Sequence, residues 1–149
     1  MLSLNLPSFE IKLKEKDGKT IIFDVLRKRY VALTPEEWVR QHFVHYLLKD
    51  KGYPSSLMAN EVFVRLNGTS KRCDTVLYRQ DLKARMIIEY KAPNIEITQK
   101  VFDQITRYNM VLKVDYLVVS NGLQHYCCKI DYHEMSYHFL PEIPNYSLL

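Results

Sequence analysis

Cysteine and glycine are scarce in this 149-residue chain, and long apolar runs are missing. Three cysteines is an odd count and two of them, Cys127 and Cys128, are neighbours, which argues against a disulfide framework. The five histidines (His42, His45, His125, His133, His138) and the cysteines show no zinc-ligand spacing. They read as structural, with His42 on the packed face of a helix. The four glycines (18, 52, 68, 122) stand too far apart for a phosphate loop of the type GxxxxGK[ST], so these residues build no ATP-driven motor. A Gly-x-Ser-x-Gly nucleophile elbow is also absent. No apolar run approaches the roughly 20 residues of a membrane span. The stretch Met1-Leu2-Ser3-Leu4-Asn5-Leu6-Pro7 has neither the basic start nor the apolar length of a signal peptide. The expectation is a soluble, reduced, cytoplasmic protein with no membrane partner.

What is present is ordinary globular material: 47% hydrophobic and 26% charged residues, enough for a core and one domain over 1–149. The net charge of +4 is unevenly spread. Residues 1–30 carry Lys12, Lys14, Lys16, Lys19, Arg27, Lys28 and Arg29 against Glu10, Glu15, Asp17 and Asp24. Such a skew permits a polyanionic partner, and equally suits a solvated hairpin with lysines on its wet side.

Phe9 to Lys14 alternates apolar with polar, Asp17-Gly18 follows, then Thr20-Ile21-Ile22-Phe23, which predicts a hairpin over 9–24. Thr34-Pro35-Glu36-Glu37 opens a helix, with Trp38, Val39, Phe43, Tyr46 and Leu47 at helical spacing, until Lys51-Gly52-Tyr53-Pro54 stops it. Strands are expected near 60–66, 72–79 and 85–91, the first two antiparallel across Asn67-Gly68-Thr69-Ser70. A helix over 97–112 would bury Ile97, Val101, Ile105, Tyr108 and Leu112. A buried strand at 116–119, a hairpin partner at 123–130 and a short strand near 134–139 complete an α/β architecture with a mixed sheet.

Chemistry concentrates where burial should exclude charge. In Met86-Ile87-Ile88-Glu89-Tyr90-Lys91, strand alternation puts Glu89 and Lys91 on one face beside an apolar run. Asp74 lies in the preceding strand and converges with Glu89 if the two strands pair. Two adjacent carboxylates call for a cation, and oxygen ligands on rigid strands suit Mg²⁺ or Mn²⁺. Lys91 beside such an ion is equipment for phosphodiester hydrolysis. The same spacing also fits a plain Glu89–Lys91 salt bridge with Asp74 at a solvated strand edge.

Asp74 followed fifteen residues later by Glu89-Tyr90-Lys91 resembles the PD-(D/E)XK nuclease signature. Arg72-Cys73-Asp74, Ile88 to Pro93 and Gln104-Ile105-Thr106-Arg107-Tyr108 are similar to the N-terminal nuclease domain of the type I restriction enzyme R (HsdR) subunit, over about residues 30–125. The resemblance implies a restriction-endonuclease-like mixed sheet flanked by helices, with the N-terminal hairpin as an addition. It implies a metal-dependent endonuclease acting on DNA, with Asp74, Glu89 and the Tyr90 carbonyl as metal ligands and Lys91 as the catalytic lysine. Gln104 and Tyr108, four apart on one helix face, would support the site. Without the resemblance, Tyr108 reads as core and Gln104 as the cap of a sheet edge. Glu37 matches an acidic residue on the first core helix of that superfamily, and a capping-box role accounts for it equally. Cys73 stands where the superfamily often has proline. Arg65, Lys71, Arg72, Arg79 and the N-terminal hairpin are candidates for phosphate contacts. With no motor in the chain, a motor or specificity subunit is a candidate partner. The alternatives are a non-catalytic DNA- or protein-binding module of the same fold and an accessory subunit of a restriction or repair complex.

Overall fold

The computed structural model describes residues 2–149; Met1, which opens the stretch read above for a signal peptide, lies outside them. Near the N-terminus, β1 (Leu13–Lys16), β2 (Lys19–Asp24) and β3 (Arg29–Ala32) form an antiparallel three-stranded sheet. Asp17 and Gly18 between β1 and β2 both take positive φ (52° and 75°), the two-residue turn whose twist matches a hairpin. The expected hairpin over 9–24 therefore starts later, at Leu13, and gains a third strand. That strand has only four residues and begins in a basic run, so no alternation announces it. Asp24 makes it possible by accepting the Leu26 and Arg27 N–H groups at 2.8 and 3.1 Å, which folds the chain back through Lys28 at φ 55°.

Helix α1 (Pro35–Asp50) starts as expected, with Thr34 Oγ1 accepting the Glu37 N–H at 3.0 Å. Every residue from Glu37 to Val44 is buried, all the way round the helix. The reason is cover on both sides. Val39, Phe43 and Leu47 pack on the large sheet against Met86, Ile88 and Val118. The other side meets the N-terminal segment: Trp38 Nε1 donates to the Leu2 carbonyl at 2.8 Å, and Phe9 stacks on His45 and meets His42 edge-on.

The large sheet has the order β4 (Met58–Leu66), β5 (Thr69–Tyr78), β6 (Ala84–Tyr90), β7 (Tyr116–Ser120), β8 (His125–Asp131), β9 (Ser136–Phe139). All neighbours are antiparallel except β6 and β7, which are parallel and joined through helix α2 (Gln99–Met110). The turn between β4 and β5 is Asn67-Gly68 alone, at φ 50° and 80°, so Thr69 and Ser70 belong to the strand and not to a four-residue turn. Residues of β6 alternate between two cores. Met86 and Ile88 face α1, while Ile87 faces Phe102 and Leu112 with Leu117 and Val119 of β7. Cys127 and Cys128 fall in different cores, because neighbours on a strand point to opposite faces. All three thiols are free.

Helix α2 is shorter than expected and rotated. Its buried residues are Phe102, Thr106 and Asn109, and Tyr108 is 60% exposed, so the expectation of a buried Val101, Ile105 and Tyr108 face is corrected. Thr106 and Asn109 donate to the Phe102 and Ile105 carbonyls, each at 2.8 Å, while Asn109 Oδ1 is left buried without a protein partner. Among the described residues, no helix is long and apolar enough to cross a membrane.

Candidate metal and phosphodiester site

β5 and β6 carry the site on the face that α2 covers. Asp74, Glu89, Lys91, Gln104 and Tyr108 line one cleft of about 520 Å³, together with Arg72 and the backbone of Tyr90. Five of the six side chains named from the sequence are thus brought together. Glu89 points to this face because it alternates with Ile88 and Tyr90, which face α1. Lys91 lies just past the end of β6, yet its N–H continues the ladder to the Ser120 carbonyl at 2.9 Å. The Tyr90 N–H donates to Asp74 Oδ2 at 2.9 Å and so fixes the Asp74 carboxylate against β6.

Glu37, the sixth, does not line the cleft. Its carboxylate accepts from Arg27 Nη2 (2.7 Å), Arg40 Nη2 (2.8 Å), Arg40 Nε (3.0 Å) and Gln41 Nε2 (2.8 Å). These partners occupy both oxygens, and Arg40 is its link to the cleft. Arg40 Nη1 in turn donates to the Asp74 carbonyl at 2.8 Å and pairs with Glu61 at the same distance. Glu61 also pairs with Arg72 at 2.7 Å. Its φ of 55° is unusual inside a strand, and it sits across from Asp74, between the pairs Asn60↔Thr75 and Val62↔Cys73. That left-handed backbone is held beside the cleft by Arg40 and Arg72, which pair with the two Glu61 oxygens.

Behind the cleft runs a second buried set. The Tyr90 hydroxyl donates to Thr75 Oγ1 (2.9 Å), Thr75 Oγ1 donates to Asn60 Oδ1 (2.6 Å), and Asn60 Nδ2 donates to both oxygens of Asp24 (3.1 and 3.0 Å). Arg40, Glu61, Asn60, Thr75 and Asp24 were not singled out from the sequence. One signal was available: Glu37, Arg40 and Gln41 put polar groups on several sides of a helix that otherwise reads as packed. Lys71, 8% exposed, places its ammonium over the Tyr108 ring and so props that ring at the rim of the cleft.

The electrostatics single out Glu89. Its carboxyl sits well above the ordinary 4.5: burial contributes most, the Asp74 charge and a hydrogen bond with Asp74 add to it, and Lys91 pulls it partly back. An acid raised in this way costs stability only when ionised. The cost is absent below the ordinary pKa, grows as pH rises above it, and is complete once pH passes the folded-state value. Metal-free protein is therefore expected to lose stability from about pH 5 upward through neutrality. Glu89→Gln should flatten that decline, measured as Tm against pH in chelator. An identical slope in the variant would show that another group causes it.

A buried carboxyl, Glu89, held above its ordinary pKa by burial and by the adjacent Asp74 carboxylate, fits a hard divalent cation that keeps several waters. Among the described residues no group of three or more His, Cys, Asp or Glu side chains gathers at one point, so the donor set here is oxygen and of low number.

Residues 35–144 match the family described as type I restriction enzyme R protein N terminus, most of the chain and all of the cleft. The chain belongs to this family. A solved structure adds to the likeness: the fragment structure assigned to an HsdR subunit of a type I restriction enzyme from Vibrio vulnificus YJ016. It is 20% identical, with a TM-score of 0.52, and the match covers 76% of this chain and 24% of that one. The match thus spans about a quarter of that solved chain, and at this identity the likeness speaks for the fold. No curated protein matches. The R protein N-terminal family match begins at the start of α1, so the three-stranded N-terminal sheet lies outside it.

Proposed function

We propose that this R-protein N-terminal family member is a metal-dependent endonuclease of the PD-(D/E)XK type, hydrolysing DNA phosphodiester bonds. The observation that carries the reading is the meeting of Asp74, Glu89 and Lys91 in one cleft, with Glu89 held above its ordinary pKa beside Asp74. Asp74, Glu89 and the Tyr90 carbonyl would hold Mg²⁺ or Mn²⁺, which when bound supplies charge to polarise the phosphate and acidify water. Lys91 places a cation beside the phosphate and offers an amine that can hold or release a proton. Gln104 and the exposed Tyr108 ring, on the helix wall opposite the strands, orient the nucleic acid. Arg40 is a positioning residue, tying Asp74 to Glu37 and Glu61.

The family name supports a further part of the reading. Type I restriction enzymes supply the precedent for a motor or specificity subunit as partner, and co-purification with an ATPase would support it.

The test is isothermal titration of Mn²⁺ into the wild type and Glu89→Ala, with plasmid nicking followed on the same samples. The expected result is micromolar-to-millimolar binding and nicking in the wild type, both lost in the variant. Nicking that persists in Glu89→Ala would overturn the assignment. Metal binding without nicking would favour the accessory-subunit reading, and salt-sensitive DNA binding indifferent to metal would favour a non-catalytic module.

A further inference from the structure

The N-terminal sheet has two unlike faces. Ile22 and Asp24, both fully buried, turn one face inward. Strand alternation and the register Lys14↔Ile21, Lys16↔Lys19 and Phe23↔Tyr30 put Lys14, Lys16, Lys19, Phe23 and Tyr30 on the other. Lys12, just before β1, joins them: its ammonium lies over the Phe23 ring at 5.5 Å, as that of Lys14 lies over Tyr30 at 4.4 Å. The two rings meet edge-on at 5.3 Å and form the floor on which Lys12 and Lys14 rest.

Three observations distinguish this face from a merely wet one. All four lysines are exposed, and among the described residues none is in an ion pair. Glu15 is turned to the opposite face, where it accepts from Thr20 at 2.7 Å, so it neutralises none of them. Lys16 and Lys19 are direct cross-strand partners, a like-charge pairing that weakens a hairpin. Glu10 lines the groove at the Phe23 end with Lys12 and Lys49, without an ion pair to either. Lysines two apart on a strand stand about 7 Å from each other. The aromatic floor holds the first two stems at fixed positions, which lowers the entropy lost when they meet a ligand.

We propose that this face is a phosphate-tracking platform for duplex DNA, separate from the cleft. The argument is charge complementarity: a row of four unpaired ammonium groups, two of them seated on aromatic rings, opposite a polymer with regularly spaced negative charge. The face carries no guanidinium fork and no amide side chain to read base edges, so it supplies affinity without sequence choice. The proposal rests on the DNA reading given above, and lies in a part of the chain that the family match does not reach.

The test is fluorescence anisotropy of a labelled random-sequence duplex with the full chain in chelator, so that cleavage plays no part. The quadruple variant Lys12→Gln, Lys14→Gln, Lys16→Gln, Lys19→Gln should bind roughly 10- to 100-fold more weakly at low salt. The slope of log K against log salt should fall in magnitude by about 3 to 4, since each phosphate contact contributes about 0.9. The matching Lys→Arg variant should keep both. A charge-matched control, Lys83→Gln, Lys100→Gln, Lys113→Gln, Lys129→Gln, should keep most of the affinity. Equal losses in the two glutamine sets would overturn the platform, because net charge alone would then explain binding. Unchanged affinity in the first set, with nicking intact, would overturn the platform and leave the nuclease reading standing. Failure of the wild type to bind the duplex would overturn both. Circular dichroism checks that each variant keeps its sheet.

Discussion

Lys91→Ala is expected to reduce plasmid nicking by about 10³-fold, the scale of a positioned acid–base or charge-stabilising group. Mn²⁺ affinity should stay within a few-fold of the wild type, because the proposed oxygen donors, Asp74, Glu89 and the Tyr90 carbonyl, are untouched. Lys91 is fixed by its backbone, whose N–H is bonded to Ser120, so truncating the side chain leaves the strand end in register. Lys91→Arg separates the two duties of the ammonium. Arginine keeps the charge but stays protonated at any working pH. If Lys91 acts by charge alone, Lys91→Arg restores most of the rate. If it moves a proton, the arginine variant is as slow as alanine. Nicking by Lys91→Ala within threefold of the wild type would remove Lys91 from the site.

The second large effect concerns stability. Asp24→Ala should cost about 3–5 kcal/mol in urea unfolding, the range for breaking a buried pair from one side. The Asp24 side chain is completely buried. Burial alone would raise its pKa, but the side chains of Arg27 and Asn60 and the N–H groups of Arg27 and Leu26 outweigh that and hold it below the ordinary value. Removing the carboxylate leaves Arg27, Asn60 and two backbone donors without their acceptor at the joint between the N-terminal sheet and the body. The pKa gives the sign of the pH dependence. A depressed carboxylate stabilises fully above its ordinary 3.8, and the contribution is lost as pH falls through the folded-state value. The gap between wild type and Asp24→Ala should therefore narrow in acid below about pH 4. A loss under about 1 kcal/mol at neutral pH would place Asp24 among ordinary surface pairs. Because the same set of hydrogen bonds ends on the Tyr90 hydroxyl, Asn60→Ala should also loosen β6, read as faster amide exchange at Tyr90 and Lys91.

Much of this was legible in the order of residues. The capping threonine, the helix under Trp38, the apolar run 86–88 and the turns at Asp17-Gly18 and Asn67-Gly68 depend on near neighbours, and local sterics and alternation suffice to read them. Strand alternation and spacing suggested Asp74, Glu89 and Lys91 as one group, the family resemblance added Gln104 and Tyr108, and all five line the same cleft. The departures have a common origin in contacts between distant segments. Strand β3 exists because Asp24 folds the chain onto β2. The rotation of α2 depends on which of its faces meets β6 and β7, and the helix's own carbonyls accept from the Thr106 hydroxyl and the Asn109 Nδ2 group.

Glu37 marks the boundary between the two kinds of information. Sequence placed it three residues after a capping threonine, on the first helix of the mixed α/β fold, and both positions hold. That its carboxylate is taken up by Arg27, Arg40 and Gln41, ten residues back and three and four ahead, was decided only when the N-terminal sheet closed over α1. By itself the sequence determined the local elements, which follow from periodicity and residue type, and through its likeness to a known family it named the residues that the cleft gathers. Only the tertiary structure decided which charges face one another and which face solvent, because a buried carboxylate takes its state from every segment packed around it.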